Sequence, residues 1–120
     1  MKILIVDDEP LVRRSLARAA QTFGHEIREA TNGREGETVW KEYRPDLVYL
    51  DVLMPELSGP DLLKLMGKTS SRVILMSAYS GGYDLERAQS LGADLFCPKP
   101  FDDIFKIIEL GQELVNNGPR

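Results

Sequence analysis

A chain of 120 residues, 42% of them hydrophobic, has the size of one domain with one core. Fifteen basic residues against nineteen acidic give a formal net charge of −4, and no basic run exists to read a phosphate backbone, which excludes nucleic acid as a direct partner. No apolar stretch approaches a membrane span or a signal peptide, and the single cysteine, Cys97, allows neither an internal disulfide nor a thiolate metal cluster, so we expect a cytoplasmic protein whose chemistry uses oxygen ligands.

Ile3 to Val6 is β-branched and apolar and reads as a first strand running into Asp7-Asp8-Glu9-Pro10. That acidic run is also what a helix start looks like, with Pro10 in the first turn. Val12, Leu16, Ala19, Ala20 and Phe23 then recur at helical spacing, Arg13, Arg14 and Arg18 fall on other faces, and Gly24 ends the helix. His25 to Ala30 alternates weakly and carries much charge, as a peripheral second strand does, with His25 in a solvated turn. Asn32-Gly33 marks a turn, and Val39, Trp40 and Tyr43 form the apolar side of a second helix that Gly36 should weaken by about 1 kcal/mol.

Pro45-Asp46 leads into Leu47 to Leu50, an unbroken apolar run with Asp51 at its end and Pro55 just beyond. So short a run reads as a strand buried on both faces or as a helix fragment; its place in the series favours the central strand of a parallel sheet. Leu57-Ser58-Gly59 is a loop, and Leu62, Leu63, Leu65 and Met66 form a short third helix ending near Gly67. Val73 to Met76 is a fourth strand, opening into Ser77-Ala78-Tyr79-Ser80. Gly81-Gly82 weakens the start of a fourth helix with a thin apolar face of Leu85, Ala88 and Leu91, a candidate mobile element. Ala93 to Cys97 is the fifth strand, closed by Pro98-Lys99-Pro100. Asp102 or Asp103 caps a last helix with Ile104, Ile107, Ile108, Gly111, Leu114 and Val115 on one stripe, stopped by Asn116-Asn117-Gly118-Pro119.

Five strand-then-helix units in series predict an α/β fold, a parallel sheet with right-handed crossovers and helices on both faces, as one domain over residues 1–120. In such a sheet the strand ends of one polarity share an edge, so Asp7, Asp8, Asp51, Ser77 and Lys99 should converge there. Three carboxylates held close repel one another, and a hard divalent cation such as Mg2+ is the natural compensation. Ser77 can donate to a phosphoryl oxygen and Lys99 can neutralise another. Together the five form a phosphoryl-transfer site with a carboxylate nucleophile.

Four blocks, ILIVDDE, PDLVYLDVLMPELSG, ILMSAY and GADLFCPKPF, stand in an order that resembles the response-regulator receiver domains, CheY-like throughout, over essentially the whole chain. The resemblance implies a doubly wound, flavodoxin-like sheet of strand order 2-1-3-4-5 flanked by five helices, and a two-component signalling switch that catalyses only its own aspartyl phosphorylation and dephosphorylation. By it, Asp51 is the phosphoacceptor for a histidine kinase phosphohistidine. Asp8, Asp51 and the main-chain carbonyl of Leu53 hold Mg2+, with Asp7 behind them through water. Ser77 is the switch hydroxyl beside Ala78 in the phosphate-binding set, Phe96 the switch aromatic, and Lys99 the phosphate partner, with a cis bond to Pro100. The implied partners are a sensor histidine kinase or phosphotransfer protein and a downstream target or effector domain, reached through the surface of the fourth helix, fifth strand and last helix. A phosphorylation-dependent dimer is the further contact it allows. Phe105 lies off the apolar stripe of the last helix, which suits either a partner or dimer contact there or local packing against a loop. Leu53 and Tyr79 stand near the phosphate, where bulky apolar groups would hinder an attacking water and lengthen the phosphoryl state. Cys97 reads as core.

Two other readings compete. A haloacid-dehalogenase-type phosphohydrolase also uses a strand-end Asp and Mg2+, but it needs an acid two residues on, where this chain has Leu53. A phosphorylation-independent binding module would keep the fold and usually lose an acid or the Lys, and none is missing here. The tail Asn116 to Arg120 looks as much like a linker as a natural end.

Overall fold

A computed structural model describes residues 1–78 and 82–117. Strands β1 (Lys2–Val6), β2 (Glu26–Ala30), β3 (Leu47–Asp51), β4 (Arg72–Ser77) and β5 (Leu95–Pro98) alternate with helices α1 (Pro10–Thr22), α2 (Gly33–Tyr43), α3 (Gly59–Met66), α4 (Leu85–Ser90) and α5 (Ile104–Asn116). All four pairings are parallel, in the order β2-β1-β3-β4-β5, and β3 is buried along its whole length. That is the doubly wound sheet expected, with Leu47 to Leu50 as its central strand.

The strand period of two sorts the core into two layers. Leu4, Val6, Val48, Leu50, Val73 and Leu75 point to one face and pack with Trp40 of α2, Leu62 and Leu63 of α3 and Ala88 of α4. Their neighbours Ile3, Ile5, Leu47, Tyr49, Ile74 and Met76 point to the other, against Leu16 and Ala20 of α1 and Ile108 of α5. This division follows from handedness. The crossover from β1 to β2 runs in the opposite direction from the three that follow, so with one hand throughout its helix must lie on the opposite face.

Local caps agree with the sequence. Asn32, Ser58, Asp84 and Asp103 each accept a backbone N–H from the first turn of their helices, so Asp103 rather than Asp102 caps α5. Helix α1 differs: Glu9 is its N-cap residue but makes no side-chain cap bond. Several expectations fail where a partner from elsewhere in the chain decides the outcome. Phe23 lies beyond the last helical residue, where the stripe no longer applies; it is exposed and meets the exposed Phe105 edge-on at 6.0 Å. Arg13 is buried on the core side of α1 rather than on another face. Leu65 and Leu85 are exposed at the edges of their stripes. His25 is half-buried, with Nδ1 3.2 Å from the terminal amine of Met1 and the Gln112 amide 2.6 Å from Nε2, so it ties α5 to the start of β1. Burial and the nearby terminal ammonium lower its pKa. Strand β5 begins at Leu95, two residues later than expected. Tyr79, Ser80, Gly81 and the stop signal at Gly118-Pro119 lie outside the described residues. Among the described residues no helix is long and apolar enough to cross a membrane.

Gly111 shows how closely α5 approaches the sheet. A Cβ there would overlap Leu47 and the Tyr49 hydroxyl, which donates to the Ile107 carbonyl at 2.8 Å. Replacing Gly111 by Ala improves helix propensity by about 1 kcal/mol, yet forces α5 off β3 and breaks that hydrogen bond. Gly111→Ala is therefore expected to lower unfolding stability by about 1–3 kcal/mol in urea titrations, against the propensity trend.

Candidate functional site

Parallel pairing brings the carboxyl ends of the strands to one edge, and the reversal in crossing direction opens a crevice between β1 and β3. Asp7 and Asp8 follow β1, Asp51 ends β3, Ser77 ends β4, and Lys99 follows β5. Oxygen atoms of Asp7, Asp8 and Asp51 lie within 4.8 Å of one another. Asp7 and Asp51 are buried and Asp8 is exposed. The Lys99 ammonium, its side chain 6% exposed, lies 2.9 Å from Asp7 Oδ2, 2.9 Å from Glu9 Oε1 and 3.2 Å from Asp51 Oδ1.

Backbone contacts set these positions. The Asp7 N–H donates to the Ala30 carbonyl at 3.1 Å, and Asp7 Oδ1 accepts the Glu9 N–H at 2.9 Å. Arg13 reaches under the turn, donating from Nη1 to the Asp7 carbonyl at 3.1 Å and from Nε to Glu29 at 3.0 Å. Behind Asp51, the Gly59 N–H donates to the Val52 carbonyl at 2.9 Å. A Cβ on Gly59 would collide with the Asp51 carbonyl, so only glycine lets α3 start this close to the strand end. The Lys99 N–H donates to the Ser77 carbonyl at 2.9 Å, which ties the lysine to the end of β4.

Crowding carboxylates out of water disfavours their charged forms. Burial first and the Asp7 charge second push Asp51 up to about 7, and Lys99 only partly offsets them. Burial also raises Asp7, against the Glu9 N–H and Lys99. For Lys99 burial alone would lower the pKa, but its hydrogen bonds to Asp7 and Glu9 and the charge of Asp51 hold it above the ordinary lysine range. One ammonium does not neutralise three acids. The donor set is all oxygen, two carboxylates buried and one open to solvent, which fits a hard divalent cation better than a thiophilic one.

The remaining expected residues lie at or near the same strand ends, on β4, β5 and the loop after β3. Ser77 is buried, Ala78 is exposed, and Phe96 is half-buried against the core on the α2, α3 and α4 face. Leu53 is 63% exposed in the loop after Asp51. The Lys99–Pro100 peptide bond is cis. Tyr79 lies outside the described residues. A cleft of about 390 Å³ runs from Lys99 and Glu9 past Leu11, Ser15 and Ile104. Sequence reasoning missed two residues. Arg13 precedes Leu16, Ala17 and Ala20 by three, four and seven positions, so its place on the buried stripe was available from spacing. Glu9 was read only as part of a helix start, and its bond to Lys99, ninety positions away in the chain, had no local signal.

Known proteins place this geometry. The family model of the response regulator receiver domain matches residues 3–109. The chemotaxis protein CheY of Thermotoga maritima is 38% identical over 103 residues, covering 83% of this chain and 86% of that one. The probable transcriptional regulator ycf27 of Porphyridium aerugineum is 36% identical over 83% of this chain, which spans only 42% of that regulator's length. Among solved structures, the receiver domain of the Francisella response regulator 1452 superposes with a TM-score of 0.88 at 25% identity, covering 97% of both chains.

The raised Asp51 pKa has a consequence for stability. The folded protein holds the Asp51 proton up to about pH 7, whereas the unfolded chain releases it near 3.8. Between those values the folded state binds more protons, so this group makes stability fall as pH rises. An Asn at the position stays neutral. Asp51→Asn is expected to be near neutral at pH 4 and to stabilise the metal-free protein by about 1–3 kcal/mol at pH 8, measured by urea unfolding across the range.

Proposed function

This chain belongs to the response regulator receiver domain family of two-component signalling, and from that premise we propose that it is a single receiver domain, working in the cytoplasm, whose Asp51 accepts a phosphoryl group from a histidine kinase or phosphotransfer protein. The observation that carries the reading is the pairing of a buried Asp51 with Lys99 inside a group of three convergent carboxylates. An Asp51 carboxylate oxygen attacks the phosphorus of the phosphohistidine; the P–N bond breaks, its electron pair stays on the imidazole, and an acyl phosphate forms. Such a transfer asks the protein for positioning and charge neutralisation more than for acid or base work. Bound Mg2+, held by Asp8, Asp51 and the Leu53 carbonyl with Asp7 behind through water, would neutralise charge on the transferred phosphoryl oxygens.

Lys99 takes a phosphoryl oxygen as an ion pair, and the buried Ser77 hydroxyl donates to another, with Ala78 beside it. As Ser77 moves toward the phosphate, Phe96 turns inward behind it and the α4, β5 and α5 surface changes for its downstream target or effector domain. The exposed Phe105, held by Phe23, is suited to a phosphorylation-dependent dimer contact on the last helix. Catalysis is confined to the chain's own phosphorylation and dephosphorylation.

The deciding experiment is intact mass after incubation with acetyl phosphate or phosphoramidate. A Mg2+-dependent gain of one phosphoryl group in the wild type, absent in Asp51→Asn, is the expected result. No gain in a folded protein that binds Mg2+ leaves a phosphorylation-independent binding module. A second expectation concerns lifetime. Leu53 stands two residues after Asp51 with an exposed apolar side chain. Such a group near the phosphate would hinder an attacking water, so the phosphoryl state should last minutes or longer, and Leu53→Asn should shorten its half-life severalfold in the same assay; a wild-type half-life of seconds contradicts this.

A further inference from the structure

Lys99 donates from its ammonium to Asp7 and to Glu9, each at 2.9 Å, and forms an ion pair with Asp51 at 3.2 Å. A phosphoryl group on Asp51 inherits the Asp51 contact, and its greater charge then competes with Asp7 and Glu9 for the rest of the ammonium. Asp7 cannot give way cheaply, because its side chain is fully buried, accepts the Glu9 N–H as well, and would be left without its cation in a dry site. Glu9 can. Its side chain is 58% exposed, so a released carboxylate returns to water. Its alternative task is also unfilled, because Glu9 stands at the N-cap position of α1, where an acidic side chain usually accepts a helix N–H, and it makes no such bond.

We propose that Glu9 is a positioning residue that holds Lys99 in the unphosphorylated protein and yields it to the incoming phosphoryl group, so that it restrains phosphorylation. This rests on the reading of Asp51 as phosphoacceptor. An ion pair with one partner more than half exposed is weak, so the restraint is a modulation of rate and not a block.

Two substitutions separate the contact from the charge. Glu9→Gln removes the charge. Glu9→Asp keeps it, but the side chain is one methylene shorter and well suited to cap α1, which takes it away from Lys99. Both variants are expected to be phosphorylated by phosphoramidate about two- to fivefold faster than the wild type at saturating Mg2+, the range an exposed ion pair permits. In the protein without phosphodonor, the Lys99 ammonium resonance, followed by NMR with nitrogen-15-labelled lysine, should move in both variants. Faster phosphorylation in Glu9→Gln with Glu9→Asp at the wild-type rate would assign the effect to general charge repulsion of the donor and overturn the proposal. Equal rates in all three proteins, slower variants, or an unmoved Lys99 resonance would also overturn it. A wild type that gains no phosphoryl group while its Lys99 resonance still responds to Glu9 would instead overturn the phosphoacceptor reading, leaving the contact in place without its proposed role.

Discussion

The contact on which the site depends is between one ammonium group and the acids around it. Strand ends far apart in sequence bring Asp7, Asp8 and Asp51 within 4.8 Å, and two of the three are buried. Without Lys99 the group would be a concentration of like charge in a low dielectric, which proteins relieve by protonation or by unfolding. Lys99 relieves it only in part, as the elevated Asp51 pKa of about 7 records. The rest of the architecture supports this arrangement. Arg13 fixes the turn that carries Asp7, Gly59 lets α3 close behind Asp51, and the Ser77 carbonyl fixes the backbone of Lys99. Functional sites commonly break local rules of stability in this way, and the two apolar layers of the sheet supply the stability that makes it tolerable.

What could be read from the sequence was whatever depends on period and on local chemistry. Ile3 to Val6, Leu47 to Leu50 and Val73 to Met76 are apolar on both sides because helices cover both faces, and their place in a series of strand-then-helix units makes them read as parallel strands. The cap at Asp102 or Asp103 was legible because a cap is a bond within three residues, whereas Asn32 and Ser58, read as turn and loop residues, also prove to be caps. Five of the convergent site residues were legible for a topological reason: once five strands are parallel, their ends must share an edge, and Asp51, Ser77, Lys99 and the Asp7-Asp8 pair are the polar groups standing there.

Several misreadings share one cause, a partner distant in sequence. Arg13 looks like a surface charge until Glu29 and the Asp7 carbonyl are placed beside it. His25 looks like a turn residue until α5 brings Gln112 to it. Phe23 looks like core until the helix ends one residue earlier and Phe105 arrives from another helix. Gly36 was read as a weakness of α2, yet a Cβ there would come within 2.9 Å of Val6, so its smallness lets the helix lie close to β1. In each case tertiary context overrode a local preference of about 1 kcal/mol or less.

The proposed switch would need little energy, because its competing states would share the same cation. Shifting an equilibrium between inactive and active forms a hundredfold takes only about 2.7 kcal/mol of differential interaction. A phosphoryl group on Asp51 adds charge next to a lysine that is already divided among three acids, so much of that difference can come from redistributing existing contacts. The same argument explains why the lysine sits on the loop after β5. Its backbone is bonded to the end of β4, where Ser77 lies, and β5 also carries Phe96. A change in what Lys99 holds would therefore reach first the ends of β4 and β5. That edge lies across the sheet from β2, so α1 and β2 can hold Asp7 and its support while the opposite side moves. In the proposed switch, strand order together with the placement of a single cation would let β4 and β5 respond while β1 and β2 keep Asp7 in place.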